Sequence, residues 1–379
     1  MDGNLRLGIK MKAKDLYLSI LEKAQIPLNS VEPWSLHVHN EKLWNRIIAQ
    51  NQLGLGEAYI EGWWDCQRID EMLTRLLSVN VESYLKVSPT IILTALRSTL
   101  LNRQNKTRAS KNAKFHYNIG NELYSRMLDS EMAYSCGYWK NATTLDRAQV
   151  DKFDLICRKL KLKPGMTLLD IGSGWGGLLR HAARNYGAIC TGISPADNQI
   201  SEARARSVGL NIQYHQLDYR EMIGTFDRVV SVGMMEHVGP KNLRSFFVQC
   251  DKLLNNDGIM LHHTISSTYS KNSTDPFFDR YIFPGGVIPS PAQISRACER
   301  LFIVEDLHNF GLDYDQTLMA WHKNINEKWH EIPNFDDKFK RMWNYYLLAS
   351  AAGFRNRNLN LMQIVFRKNG IKETYLAER

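Results

Sequence analysis

Leu168-Leu169-Asp170-Ile171-Gly172-Ser173-Gly174-Trp175-Gly176-Gly177-Leu178-Leu179 decides how the chain folds. A short apolar run ends in an acid and a glycine-dense turn. Apolar residues then recur at helical spacing, which reads as strand, tight turn, helix. Glycine lets the backbone turn sharply and lets a ligand approach it closely. Gly172, Gly174 and Gly177 also satisfy the G-x-G-x-x-G pattern of dinucleotide sites. Two features argue against a pyrophosphate ligand. The Asp170 carboxylate beside the turn would repel phosphate and would attract a cationic or amine-bearing ligand instead. The acid that a dinucleotide site carries about 20 residues further on is missing, because the next strand-like run, Ala188 to Ser194, ends without one.

Working outward, strand and helix patterns alternate. Strands are predicted near 167–171, 188–193, 211–215, 226–232, 258–265, 302–307 and 360–367. Helices are predicted near 175–186, 195–208, 241–254, 290–300, 314–330 and 336–355, after an earlier one from about Thr144 to Leu162. Such alternation predicts an α/β fold, a mainly parallel seven-stranded sheet covered on both faces. Ligands of such sheets bind beyond the strand C-termini. Those ends fall at Asp170, Ser194, Asp218, Met234 to His237 and His263 to Ser266. Residues 266 to 290 hold Pro276, Pro284, Gly285, Gly286 and Pro289 and predict a longer insertion, a lid or substrate wall.

Upstream, helical periodicity covers 14–25, 43–48, 69–77 and 92–100, and Trp34, Leu36 and Val38 alternate like a short strand. This predicts a small, mostly helical N-terminal domain over residues 1–100. Its adjacent Trp63 and Trp64 have two readings, core packing or an amphipathic surface for lipid head groups. Residues 97 to 114 carry Arg97, Arg103, Lys106, Arg108, Lys111 and Lys114 and no acid. They predict a basic linker at 101–113, either solvated or touching anionic lipid, with a second, larger domain at 114–379. Nucleic acid is disfavoured, since the run lacks interleaved aromatics and no nucleic-acid motif accompanies it.

Bulk properties agree. The chain has 379 residues, 44% hydrophobic and 23% charged, with a formal charge of +9. A basic balance suits an anionic partner. No apolar run approaches the roughly 18 residues that span a bilayer, and Met1 to Arg6 has no secretory apolar core. Six scattered cysteines without C-x-x-C pairing predict reduced thiols in a cytosol.

Candidate chemistry sits at the strand ends. Asp218 can accept an adenine amino group, Tyr219 can stack on the ring, and Gln199 can reach ribose hydroxyls; a solvated loop residue is the alternative for each. Glu236, His237, His262 and His263 are metal-ligand types. Adjacent residues of a strand point to opposite faces, so His262 and His263 do not readily share an ion and no metal site is expected.

The D-x-G-x-G of Asp170 to Gly174 resembles the S-adenosylmethionine (SAM) turn of Rossmann-like methyltransferases. Essentially the whole chain resembles the cyclopropane-fatty-acyl-phospholipid synthases. The stretches that carry this are Gly54-Leu55-Gly56-Glu57 through Gly62-Trp63-Trp64, Tyr134-Ser135-Cys136 with Tyr138-Trp139, and Leu169 to Gly177. Further matches are Glu236-His237-Val238-Gly239-Pro240, His263-Thr264-Ile265, Tyr281-Ile282-Phe283-Pro284-Gly285, and Asp313-Tyr314-Asp315 with Leu318-Met319-Ala320-Trp321. The resemblance implies methyl transfer from SAM to the cis double bond of a phospholipid acyl chain, with a bound bicarbonate removing the proton whose loss closes the ring. It implies a bicarbonate cage of Cys136, Glu236, His263, Tyr314 and the Ile265 backbone. The implied SAM site is Tyr134, Ser135, Asp170, Gly172, Gly174, Ser194, Gln199, Asp218 and Tyr219. Tyr281 or Phe283 would steady positive charge on the reacting chain. A homodimer attached peripherally to the inner face of the cell membrane is also implied. Ser173 and Ser350 stand where relatives often carry cysteine. This chemistry needs no covalent nucleophile, so activity is expected to survive both, and Ser350 reads as a packing residue. The rival readings are an ordinary methyltransferase acting on nitrogen or oxygen, which needs a general base but no anion cage, and a non-catalytic lipid-binding protein.

Overall fold

A computed structural model describes residues 13–79 and 120–379. The expected linker at 101–113, the expected helix near 92–100 and the stretch from Phe115 to Ile119 lie outside the described residues.

The N-terminal part comprises α1 (Ala13–Lys23), β1 (His37–Val38), α2 (Leu43–Ile60), β2 (Trp64–Asp65) and α3 (Ile69–Ser78). It forms a helical unit with one two-stranded antiparallel pair, β1 with β2. Trp64 is fully buried, its indole Nε1 donates to Leu55 O at 2.9 Å, and its ring packs on Tyr59 at 4.9 Å. Trp63 is half-buried under the Arg46 guanidinium, 4.7 Å from its ring centre. Of the two readings of this pair, core packing is therefore the one that describes Trp64.

The main sheet uses β3 (Thr167–Ile171), β4 (Ile189–Ser194), β5 (Ile212–Gln216), β6 (Phe226–Val232), β7 (Leu254–Ser267), β8 (Phe302–Asn309) and β9 (Leu359–Lys368). Its order is β5-β4-β3-β6-β7-β9-β8. Strands β3 to β7 pair parallel, and β9 runs antiparallel to β7 and β8. The strand order reverses at β3, which leaves a crevice above the C-terminal ends of β3 and its neighbours.

The helices of this part are α4 (Asn121–Met127), α5 (Leu145–Lys159), α6 (Gly177–Tyr186), α7 (Asp197–Arg206) and α8 (Leu243–Leu253), followed by α9 (Pro276–Tyr281), α10 (Pro291–Cys298), α11 (Leu312–Lys328) and α12 (Asp337–Arg355). Strand alternation sorts the apolar residues onto two faces. Leu168, Val230, Leu261 and Val365 pack with Ile156 of α5, Leu179 of α6 and Ile200 of α7. Leu169, Val229, Met260, Ile364 and Phe366 pack with Phe246 and Phe247 of α8 and Ile294 of α10. Local signals set several helix starts. Thr144 Oγ1 accepts from Arg147 N, Asp336 caps Phe339 N at 2.8 Å, and Ser290 with Gln293 forms a reciprocal capping box.

Among the described residues the expected strands and helices of the main sheet are present, while α4 is additional, β1 covers only His37–Val38 of the expected 34–38 run and α2 runs on to Ile60. Strand β7 begins at Leu254 rather than near 258, because Leu254 already pairs with Phe226. The insertion at 266–290 is not all loop. Asp275 Oδ1 accepts from Phe277 N and Phe278 N, and Pro276 starts the short helix α9. That helix rests on α2 so closely that a Cβ on Gly56 would come within 2.5 Å of the Phe277 ring. The N-terminal helices and α4, α9, α11 and α12 share one continuous apolar core, which includes Trp64, Trp321 and Trp343.

Candidate active site

The glycine turn opens the site. Gly172 (φ +91°) and Gly174 (φ +52°) adopt backbone conformations that favour glycine. A Cβ at Gly174 would meet nothing within 4 Å, so the turn faces open space. Asp170 lies at the floor, 2% exposed, and its Oδ1 has no partner among the described residues. Burial pushes its carboxyl up to about 7, against the pull of the Lys152 charge.

All nine residues expected to hold the cofactor line one cavity above these strand ends: Tyr134, Ser135, Asp170, Gly172, Gly174, Ser194, Gln199, Asp218 and Tyr219. Ser194 Oγ donates to Gln199 Oε1 at 3.1 Å, which fixes the amide at the β4 end. Asp218 caps a 3₁₀ turn and pairs with Arg220 at 2.9 Å. The Tyr219 ring sits edge-on to Phe246 at 5.1 Å, with the Arg220 guanidinium 4.8 Å from its centre. His237 and Phe283 also line the cavity, ring to ring at 5.8 Å, and burial lowers the His237 imidazole to about 4. Tyr281 lies elsewhere: its hydroxyl donates to Glu57 Oε1 at 3.0 Å, so Phe283 is the aromatic of the two that lines the cavity.

The five residues expected at the reaction centre form an adjoining group. Glu236 Oε1 accepts from Ile265 N at 2.6 Å. His263 and Ile265 are two apart on β7 and face the same way, and Gln363 Nε2 lies 3.3 Å from His263 Nδ1. The His263 ring meets Phe310 at 5.9 Å. Phe310 belongs to a small buried group with Cys136, Tyr138, Leu155 and Leu361, on which Ile265 and Tyr314 also pack. The Cys136 thiol donates to Gly137 O at 3.1 Å, and burial holds it protonated, well above the usual thiol range. Glu236 Oε2 and His263 Nε2 are buried without a partner among the described residues. Buried polar atoms of this kind ordinarily have one, and an anion carrying both donor and acceptor oxygens would fit them.

Two segments join the groups. Tyr134 and Ser135 line the cavity while Cys136 lies in the apolar group behind it, and Met234 and His237 line the cavity while Glu236 bonds β7. His262, by contrast, faces away, packed among Phe246, Phe247 and Phe366 at 5.2 to 5.6 Å. Ser350 is buried on α12. No cluster of three or more His, Cys, Asp or Glu side chains suited to a metal occurs among the described residues.

The sequence reading overlooked Lys152 and Gln149, which both reach this site from α5. The only signal was positional. Leu145, Ala148, Lys152 and Ile156 recur at helical spacing, placing a lysine on an otherwise apolar face.

A family model described as mycolic acid cyclopropane synthetase matches residues 104–364. Cyclopropane-fatty-acyl-phospholipid synthase of Escherichia coli (strain K12) is 44% identical over 357 residues, 93% of this chain and 94% of that one. Among solved structures, the cyclopropane synthase MmaA2 from Mycobacterium tuberculosis superposes with a TM-score of 0.65 at 27% identity, covering 68% of this chain and 98% of that one. Mycolic acid cyclopropane synthase CmaA1 complexed with SAH and CTAB gives 0.64 at 28% identity with the same coverage.

Proposed function

Because the chain belongs to the mycolic acid cyclopropane synthetase family, we propose that it closes its ring on a cis double bond of a phospholipid acyl chain with bicarbonate as the base. The enzyme is a SAM-dependent cyclopropane synthase of phospholipid acyl chains. When bound, SAM supplies an electrophilic methyl group and bicarbonate supplies the base. The rest falls to the chain's own residues.

An alkene is a poor nucleophile, so orientation and exclusion of water carry much of the catalysis. Water would capture the cationic intermediate as an alcohol. Cys136, His263, Phe310 and Leu361 are all buried, which keeps bulk water away from the proposed reaction centre. Phe283 at the cavity wall offers a ring face that steadies positive charge without reacting with it. The Cys136 thiol, the Tyr314 hydroxyl, the His263 ring and the Ile265 backbone would hold the base. Glu236 Oε2 would accept its hydroxyl hydrogen, because two anions side by side need a shared proton. An anion held opposite a developing cation lowers the barrier electrostatically.

The observation that carries this reading is the pair of orphaned polar atoms, Glu236 Oε2 and His263 Nε2, buried beside a cavity lined by every expected cofactor residue. A methyltransferase acting on nitrogen or oxygen would have no use for these two buried, unpartnered polar atoms beside its donor cavity. The net charge of +9 supports attachment to an anionic membrane surface, and no helix among the described residues is long and apolar enough to cross one. Attachment to the inner face of the membrane as a homodimer completes the proposal.

The test incubates the enzyme with methyl-labelled SAM and vesicles of an unsaturated phospholipid, then locates the label by mass spectrometry. Label in the acyl chain is expected. Label in the head group would replace this reading with that of an ordinary methyltransferase, and bound lipid without label with that of a lipid-binding protein.

A further inference from the structure

Helix α5 carries a lysine where an apolar side chain would ordinarily sit. Lys152 is 1% exposed, lines the cofactor cavity together with Asp170 and Ser135, and donates from Nζ to Ser135 Oγ at 2.7 Å. A buried ammonium needs an opposite charge, because removal from water is costly when it is unmatched. Two acids face it, Asp129 and Asp170. Both Asp129 oxygens are already engaged by backbone N–H groups, of Glu131 at 3.0 Å and of Ala133 at 2.8 Å. Asp170 lies across the cavity floor with one oxygen unpartnered. Burial lowers the lysine to about 8, so it is mostly charged at neutral pH.

The hydrogen bond has a direction. Lysine only donates, so Ser135 Oγ accepts, and the serine's own hydrogen is left to donate elsewhere. No acceptor for it is found among the described residues, and the cavity is the open side. Gln149, one turn earlier on α5, donates to Ser135 O at 2.8 Å and to Ala133 O at 3.3 Å, so the same helix holds this loop's backbone. A hydroxyl polarised by an ammonium and aimed into a cavity is a receiver for an anion. On the reading of this cavity as a SAM site, the anion available is the carboxylate of the cofactor's amino-acid end.

We infer that Lys152 is a positioning residue which, through Ser135, captures the cofactor's carboxylate and so fixes the amino-acid tail rather than the nucleoside. The adenosine end, at Asp218 and Tyr219, is independent of it.

Two ligands separate these ends. S-adenosylhomocysteine keeps the amino-acid tail, and 5′-methylthioadenosine lacks it. Calorimetric titration of the full chain with each, in wild type and Lys152→Met, measures the contribution of the tail. The expected result is a loss of about 10- to 100-fold in affinity for S-adenosylhomocysteine and a change within about twofold for 5′-methylthioadenosine. Unaltered 5′-methylthioadenosine binding also shows that the variant is folded. Ser135→Ala, which leaves the lysine in place, should show the same selectivity to a smaller degree and serves if Lys152→Met does not fold. Equal losses for both ligands, or no loss for either, would overturn the inference while leaving the cofactor assignment standing. Wild-type protein that binds neither ligand would overturn both.

Discussion

Glu236 is placed to work as an acceptor by the strand beside it. Ile265 N satisfies one oxygen, and the other is sealed from water without a partner among the described residues. Burial raises the carboxyl to about 7, against the hydrogen bonds that lower it. The proposed role needs the ionised form, so activity should fall as pH drops below about 7, approaching tenfold per unit on the acid side. Glu236→Gln should leave a low, flat profile over that range. The effect on stability has the opposite sign. An acid whose folded pKa lies above its unfolded value, about 4.3, contributes stability below that value and loses it as pH rises through about 7. Glu236→Ala should lower kcat by about 10²- to 10³-fold and leave affinity for S-adenosylhomocysteine within about twofold. Steady-state kinetics beside calorimetry checks this, and parallel losses would contradict it. His263 is held neutral, well below its usual range. With the Gln363 amide donating to Nδ1, its hydrogen sits on Nε2, the atom left to bond an anion.

At the scale of elements, α12 joins the N-terminal helices to the proposed reaction centre. Arg355 at its C-terminus pairs with Asp70 of α3 at 2.7 Å and with both oxygens of Asp315 on α11 at 2.8 and 2.9 Å. Asp315 follows Tyr314 directly. Together with Arg68, the Arg355 charge holds Asp70 down to about 2 despite burial. That contribution to stability is complete above the unfolded value of about 4 and is lost as pH falls toward 2. Arg355→Met should destabilise the fold by about 2–3 kcal/mol, less than a fully buried pair, because Arg355 is a quarter exposed and Arg68 stays on Asp70. Thermal unfolding measures it, and an unchanged midpoint would show that the network contributes nothing.

Elements were legible where their pattern is long. The parallel strands are near-continuous apolar runs and the helices amphipathic, so most bounds fall within a few residues of those read from sequence. Helix α9 was not, since six residues opened by a proline in a proline- and glycine-containing stretch carry too little periodicity. The start of β7 was missed because Asn255, Asn256 and Asp257 are turn-forming types that tertiary pairing overrides. The glycine turn at the cavity was legible from Gly172, Gly174 and Asp170. Lys152 was not, because charged residues are ordinary on helices and only the finished fold reveals which of them is buried.

Over the whole molecule, the cavity and the proposed reaction centre are built from shared backbone. Tyr134 and Ser135 line the cavity while Cys136 packs in the apolar group behind it, and Met234 and His237 line it while Glu236 bonds β7. The apolar core continues from the N-terminal helices through α11 and α12 to Tyr314, so the part that carries the double tryptophan also packs against the proposed reaction centre. A donor cavity beside a buried, mainly apolar group fits the proposed transfer to a carbon–carbon double bond, where the intermediate must be kept from water until a proton is removed. In the proposed mechanism that proton comes from the transferred methyl group itself, so its hydrogens record the route taken. The decisive measurement supplies SAM with a fully deuteriated methyl group and vesicles of a monounsaturated phospholipid, and counts deuterium in the product acyl chain by mass spectrometry. The account predicts that the chain gains a carbon bearing two of the three deuterium atoms. Retention of all three there would contradict it.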